Sequence, residues 1–417
     1  MSDRSLAKSE ALWRRAERVI PRGVYGHQNA AAHGARHPKF LARGEGSRVW
    51  DVDGNEYVDW MCSYGPMVLG YRNAAVDRAV AEQMELADTM SLPGEPMVEY
   101  AEMLVAKTQG MDWAIFGKNG ADATSWAIDT ARAHTGKSKI VKGHDAYHGA
   151  RPWTIPQLPG VPSHHREELI EVAWNDVDGL RAVFAAEGED IACVILSPYD
   201  HQLHHAEFAG PGWFEAVREL CDSHGAVFVM DDVRAGFRFD MGGSHVAFGA
   251  TPDLICYSKA IANGYALSAG LGVEALRSAA EQIFFTGSFF FQSSSFAAAK
   301  ATMEEMERTD AIATIHRIGQ LLIDGLEAQA EAFGLPFVST GPSAMPSFKF
   351  NNDPKYAMFH EWCDVATEHG AYLHPAHNWF VSAAHTEEDI DLTLRATEQA
   401  FAAVAKSSQG CLSSGPG

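Results

Sequence analysis

Five consecutive apolar residues, Ala226-Val227-Phe228-Val229-Met230, run straight into Asp231-Asp232. A run without polar alternation is a strand buried on both faces, and such a strand needs a sheet covered by helices on either side. A second short run, Leu254-Ile255-Cys256-Tyr257, delivers Ser258-Lys259 just beyond its end. Open α/β sheets collect ligands at the carboxyl ends of their strands, so an acid and an amine placed there suggest one shared site.

The rest of the chain fits that architecture. From residue 139, strand-like segments (140–141, 192–196, 226–230, 254–257, 269–272) alternate with helical spacing at 177–186 and 212–223, which means an α/β domain with a largely parallel sheet. Upstream, helical spacing covers 5–19, 75–86 and 97–107, and Asp53-Gly54 between two apolar stretches predicts a β-hairpin with a two-residue turn. Residues 114–116 form a short strand, followed by a Gly-rich turn and a helix with Ala123, Trp126, Ala127 and Ala131 on one face. A long helix is expected over 311–333, then a smaller α+β segment whose last helix opens at Thr386-Glu387-Glu388-Asp389, a capping sequence. The expected division is 1–85 as the N-terminal part of a small domain, 86–310 as a large domain, 311–405 as the rest of the small domain, and 406–417 as a disordered tail.

Composition narrows the function classes. With 33 basic against 54 acidic residues the formal charge is −21, which argues against nucleic-acid or anionic-membrane partners, since affinity there comes from clustered Lys and Arg. Six cysteines are scattered without CxxC spacing, so they read as reduced core residues rather than a disulfide or zinc framework. No apolar signal core or membrane-length run is visible, and a soluble, cytoplasmic protein is expected.

Chemistry concentrates at strand ends. The turn Gly117-Lys118-Asn119-Gly120 leads from a strand into a helix, so the N–H groups of Asn119, Gly120 and Ala121 point outward at a helix N-terminus, a site for a phosphate. Gly136-Lys137-Ser138 mimics the end of a P-loop, but Ala131 stands where the first Gly belongs and a strand follows. Without a P-loop, a magnesium role for Asp231-Asp232 loses its support. Tyr147-His148-Gly149 follows the 140–141 strand and brings an aromatic face to the same edge. A phosphate cradle, an aromatic plate, an acid and an amine together describe a pocket for pyridoxal 5'-phosphate (PLP). The metal reading of this site is set aside.

These motifs resemble the class III aminotransferase family of fold-type I PLP enzymes, and within it the glutamate-1-semialdehyde aminomutase-like branch. The similarity runs from about residue 12 to 405 through Val49 to Asp59, Gly65 to Gly70, Asn119 to Thr124, Tyr147 to Gly149, Asp231 to Arg238, Thr251 to Leu254 before Lys259, and Phe380 to Asp391. It implies a large domain around a mostly parallel sheet and a smaller α+β domain built from both termini. It further implies Lys259 as Schiff-base lysine and proton shuttle, Asp231 as partner of the pyridinium nitrogen, Tyr147 over the ring and Val233 behind it. His148 joins the cofactor contacts, as do Asn119, Gly120 and Ala121 at the phosphate, although the family pattern there is Ser-Gly-Thr and two hydroxyls are lost. Ser288 falls where the family places a Thr that reaches the phosphate across a dimer interface, so a homodimer with shared sites is implied.

The sequence also departs from the branch. After Gly23-Val24 comes Tyr25-Gly26-His27-Gln28-Asn29, without the Arg that serves the substrate carboxylate in the mutase. Ser197 replaces a Glu before Pro198, a His-rich loop follows at Asp200 to His205, Tyr64 stands where a Trp is common, and His374 and His377 alter a C-terminal loop. Tyr25, His27, Tyr64 and His201 are therefore the candidate substrate residues. The expected activity is a PLP-dependent, ping-pong aminotransferase acting between an amine or amino-acid donor and a keto or aldehyde acceptor. The alternative is intramolecular transfer, as in the aminomutase, or another isomerase or epimerase of the same fold. A nucleotide hydrolase lacks its phosphate loop, and a non-catalytic binding protein would be expected to have lost Lys259 or Asp231.

Overall fold

The computed structural model describes residues 4–29, 34–154 and 159–413. Its contacts divide the chain into two units, one of Met1–Asn73, Leu203–His205 and Ala313–Gly417, the other of Ala74–Gln202 and Ala206–Ile312. In chain order the strands are β1 (Leu41–Glu45), β2 (Arg48–Asp51), β3 (Glu56–Asp59), β4 (Trp113–Gly117), β5 (Lys139–Gly143), β6 (Leu169–Val172) and β7 (Ile191–Leu196). They continue with β8 (Val227–Asp231), β9 (Leu254–Tyr257), β10 (Ser268–Gly272), β11 (Phe337–Thr340), β12 (Ser347–Phe350) and β13 (Ala371–Tyr372).

The larger unit is built on one sheet in the order β4-β10-β9-β8-β7-β5-β6. β10 runs antiparallel to both of its neighbours, and the remaining pairs are parallel. Six strands therefore point one way, and the carboxyl ends of β4, β5, β8 and β9 lie along one edge. Every residue of β7, β8 and β9 is buried, as their unalternating apolar runs require. Helix Gly120–Thr135 lays Trp126, Ala127 and Ala131 on the sheet, where they join a core with Trp113, Ile195, Val229 and Leu254.

Two elements of this unit escape sequence periodicity. β6 is a short edge strand with only Val172 buried, too brief to show a pattern. Helix Ser293–Arg308 opens on three serines, which favour caps and turns over helix interiors, yet it buries Phe296, Ala298, Ala299, Met303 and Met306. Helix Ala74–Leu86 packs on it, and this packing places residues 74–86 with the larger unit rather than with the N-terminal segment.

In the smaller unit β1-β2-β3-β13 form one sheet and β11-β12 another. The β2–β3 hairpin closes at Trp50↔Glu56, a longer connection than Asp53-Gly54 predicts. The cause is Asp51, whose carboxylate accepts the N–H groups of Asp53 (2.9 Å) and Asn55 (2.8 Å) and the Tyr57 hydroxyl (2.9 Å), so the side chain takes the Asn55 N–H while the Asp51 N–H still donates to Asn55 O at 3.0 Å. The last helix spans Glu387–Ser413. It thus continues beyond residue 405 through most of the stretch expected to be a disordered tail. Among the described residues no helix is long and apolar enough to cross a membrane.

Candidate active site

Asp231 ends β8 and is 6% exposed. A buried carboxylate must be paired, and here one oxygen meets His148 Nδ1 at 2.7 Å while the other accepts the N–H of Val233 at 3.1 Å. His148 is itself fixed at both ends of its peptide: its carbonyl accepts Thr124 Oγ1 (2.7 Å) and its N–H donates to Thr154 Oγ1 (3.0 Å). With Nδ1 on the carboxylate, Nε2 is buried without a partner among the described residues. Gly149 has φ +108°, and a Cβ there would lie 2.6 Å from that of Ala121, so this glycine lets the His148 loop press on the helix start at residue 121. Tyr147 is half-exposed, and burial, then the charge of Asp231, raises its hydroxyl pKa.

Asp232, its sequence neighbour, has different partners. It is fully buried, accepts the Ser244 N–H at 2.9 Å and donates its own N–H to Cys256 O. Burial pushes its carboxyl up to about 7. The two acids have different partners, and among the described residues no group of three His, Cys, Asp or Glu could hold a metal ion.

Lys259 follows β9 in left-handed backbone (φ +50°) at the start of a 3-10 turn, Lys259–Ala262. A lysine in that region carries strain of the kind found at functional sites. Burial, and then the guanidinium of Arg234, lowers its amine to about 7, with Asp231 pulling the other way. An amine that is substantially neutral near pH 7 is a competent nucleophile and proton carrier.

The turn after β4 departs from the expectation in one respect. Asp122, in the first turn of the helix, accepts the N–H groups of Lys118 (3.2 Å) and Asn119 (2.9 Å), so the Asn119 N–H is spent inside a capping box. Gly120 and Ala121 keep first-turn N–H groups that no helical carbonyl can reach. Arg151 neutralises the other oxygen of Asp122 at 2.8 Å. A Cβ on Gly120 would lie 2.7 Å from Val233 Cγ1, so the turn sits directly against Val233 and only glycine fits. Gly120, Ala121, Val233, Asp231, Lys259 and Tyr147 thus supply anion donors, an apolar surface, an acid, an amine and an aromatic face on one sheet edge, a donor set that fits PLP.

Ser288 lies in the same unit on an exposed segment. His201 packs on Tyr199 with ring centroids 5.6 Å apart, whereas His204 belongs with the smaller unit, stacked 4.0 Å from Tyr356 with Nδ1 at 3.2 Å from Phe348 O. Also in the smaller unit, Tyr64 donates to His27 O at 3.1 Å and meets the rings of His27, His374 and His377 at 4.5, 5.6 and 5.3 Å. Tyr25 stands in the same unit, 73% exposed. Residue roles that sequence did not single out are those of Thr124, Thr154, Arg151 and Arg234. Arg234 and Thr124 lie within the quoted Asp231–Arg238 and Asn119–Thr124 motifs, but the bonds of Thr124 to His148 and of Arg151 to Asp122 span 24 and 29 positions.

The family model for aminotransferase class-III matches residues 30–400. The chain belongs to the class III aminotransferase family. An aminopentol aminotransferase from Sphingopyxis macrogoltabida is 42% identical over 398 residues, covering 95% of this chain and 94% of that protein. A glutamate-1-semialdehyde 2,1-aminomutase from Desulforamulus reducens is 32% identical over 432 residues, covering 96% and 99%. The PLP internal aldimine form of the FumI protein of Sphingopyxis sp. MTA144 superposes with a TM-score of 0.94 at 42% identity, covering 96% of this chain and 97% of that one. The fold is therefore fold-type I, the cofactor is PLP, and the enzyme is a transaminase.

Two outcomes follow for this class III enzyme. Gly120→Ala drives a methyl into Val233 and costs about 1–3 kcal/mol, which thermal melting of the apo chain measures alongside reduced PLP uptake. Because the Lys259 amine sits at about 7, its deprotonated form accumulates through that pH. Reductive labelling of the apo chain at Lys259 by a simple aldehyde should rise about tenfold per pH unit below 7 and level off by about pH 8, where a lysine of ordinary pKa would keep rising; peptide mass mapping across pH reads the difference.

Proposed function

We propose that Lys259 is the residue joined to the cofactor aldehyde and the proton carrier of the reaction, and that Asp231 faces the pyridine nitrogen. The observation that supports this most is the placement of these two groups at the ends of adjacent strands, the acid buried and clamped by His148, the amine lowered to about 7. When bound, PLP supplies an aldehyde that condenses with amines and a ring that draws electrons from the carbon bearing the amine. Asp231, held by His148 Nδ1 and the Val233 N–H, would face the ring nitrogen. Tyr147 would cover one ring face and Val233 the other. The Gly120 and Ala121 N–H groups would hold the phosphate, and Lys259 Nζ would carry the proton.

The substrate residues in this reading are Tyr25, His27, Tyr64 and His201. The ring partners of Tyr64 are all histidines, and residues 24–29 contain no Arg or Lys. That chemistry suits an amine whose chain is hydroxylated or apolar better than one that carries a carboxylate, and it agrees with a relative named for an aminopentol. Intermolecular amino transfer is favoured over the aminomutase reaction on the same ground.

The working unit in this reading is a homodimer. Phe284, Phe289, Phe291 and Leu92 of the larger unit are 92, 63, 45 and 77% exposed. Apolar exposure on that scale marks an interface, and Ser288 on the same segment would reach the phosphate of a second copy. A reducing cytoplasm is the proposed compartment, since the five described cysteines are all buried and free.

The decisive experiment is a screen of amino donors that follows conversion of the bound cofactor to its aminated form. The protein is expected to carry a visible band that borohydride removes, to aminate its cofactor with one or more amines, and to turn glutamate-1-semialdehyde over poorly. Lys259→Ala should lower turnover by at least about 10³-fold. A colourless protein that takes up no added PLP, or an unimpaired Lys259→Ala, overturns the assignment. Sedimentation should report a dimer, and an active monomer refutes that part.

A further inference from the structure

Lys118 stands immediately before the phosphate turn, and its ammonium has three N–H donors. All three have an acceptor: Ala266 O at 3.0 Å, Gln292 Oε1 at 3.3 Å and Ser295 Oγ at 2.9 Å. Ala266 lies on the loop between Lys259 and β10. Gln292 and Ser295 lie at the start of helix Ser293–Arg308, directly after the 286–291 segment that carries Ser288. Gln292 continues the network, its Nε2 donating to Asp88 Oδ2 at 2.6 Å, and Asp88 also accepts the N–H groups of Ser294 at Oδ1 and Ser293 at its carbonyl, both at 3.0 Å. Burial lowers the Lys118 amine to about 8 and Asp88 opposes the shift, so the ammonium is largely charged at neutral pH.

We propose that Lys118 is a positioning residue that buckles the phosphate turn to the Lys259 loop and to the Ser288 segment, so that phosphate affinity depends on a side chain that does not itself touch the cofactor. This rests on the reading of residues 119–121 as the phosphate turn. That turn has little else to define it. Ala121 offers no hydroxyl, and the Asn119 N–H is spent on Asp122. What remains are the N–H vectors of Gly120 and Ala121, whose aim is set by the backbone at residue 118. Holding that backbone from three sides fixes the aim before the anion arrives, which lowers the ordering cost of binding. The same ammonium orders the residues following Ser288, so one group serves phosphate contacts from both the turn and the exposed segment.

The test uses the full chain with Lys118→Met, which keeps length and removes the donors, and Gln292→Leu, which breaks the network one step away and leaves the turn untouched. Affinities of the apo chain for PLP and for pyridoxal, which lacks the phosphate, are measured by fluorescence titration, and amide hydrogen exchange is followed over 286–295. Lys118→Met should weaken PLP by about tenfold or more, equivalent to about 1.4 kcal/mol, and pyridoxal by less than about twofold. Both variants should lose amide protection over 286–295. Unchanged PLP affinity, equal weakening of PLP and pyridoxal, or unchanged exchange overturns the proposal. If Lys118→Met does not fold, Gln292→Leu decides it by hydrogen exchange: lost protection over 286–295 supports the buckle and unchanged protection overturns it. If the wild-type chain takes up no PLP, the cofactor reading itself fails and the exchange result alone judges the buckle.

Discussion

A carboxylate at the end of a buried strand is the constraint on which the larger unit depends. Removing Asp231 from water costs several kcal/mol unless its oxygens are paired, and the pairing reaches across the sheet. In the strand order β9-β8-β7-β5, β7 separates Asp231 from the strand that leads to His148. The loop after β5 must therefore pass over the end of β7 to deliver the imidazole. Thr124 and Thr154 grip the His148 peptide, and Gly149 bends the chain against Ala121. The helix that starts at Gly120 is thereby held against the loop that supplies the aromatic face. One buried carboxylate thus sets the relative position of the 119–121 turn, the Tyr147 loop and the end of β8.

The sequence displays the parts of this arrangement that obey periodicity. Apolar runs without alternation locate β7, β8 and β9, and the charged residues at or just after the ends of β8 and β9 are visible because nothing else interrupts those runs. The pair Asp231 and Lys259 is legible for that reason, and the family resemblance adds the roles. Side-chain replacement of backbone partners is not legible. Asp51 lengthens a hairpin that its Asp-Gly would close tightly, and Asp122 takes the Asn119 N–H that the turn was expected to offer. Both are local acids whose choice between solvent and backbone depends on the final geometry. Helix Ser293–Arg308 is hidden by its three opening serines, and tertiary packing of Phe296, Met303 and Met306 overrides that weak local preference.

Charge placement around Lys259 follows from the same frame. Arg234 and Lys259 bring two cations to one edge, and with partial burial the amine is the group that yields, since a guanidinium does not lose its proton. Asp231 opposes the shift. Its carboxylate is committed to His148 and Val233 and stays in place while the lysine proton comes and goes. Asp232, one residue on, carries a carboxyl raised by burial to about 7 and lies on the Ser244 side. The acid clamped by His148 and the acid pushed toward neutrality are thus adjacent in sequence and separated by their partners.

In the smaller unit, Cys62, Ser63 and Tyr64 have φ of 46°, 56° and 65° before Gly65 at 108°. Left-handed backbone costs a non-glycine residue roughly 1–2 kcal/mol, so three in succession need an external hold. Asp59 accepts the Met61 N–H at 2.8 Å and the Tyr71 hydroxyl at 2.6 Å, and Cys62 Sγ lies 3.3 Å from Phe380 O. The strained run is therefore fastened to β3 on one side and to residue 380 on the other, and it presents Tyr64 to His27, His374 and His377. No local pattern in 62–65 encodes this conformation, because its hold combines nearby Asp59 with a carbonyl more than 300 positions away. A substitution near residue 380 can therefore re-aim Tyr64 through the Cys62 contact, with the local sequence of 59–65 unchanged.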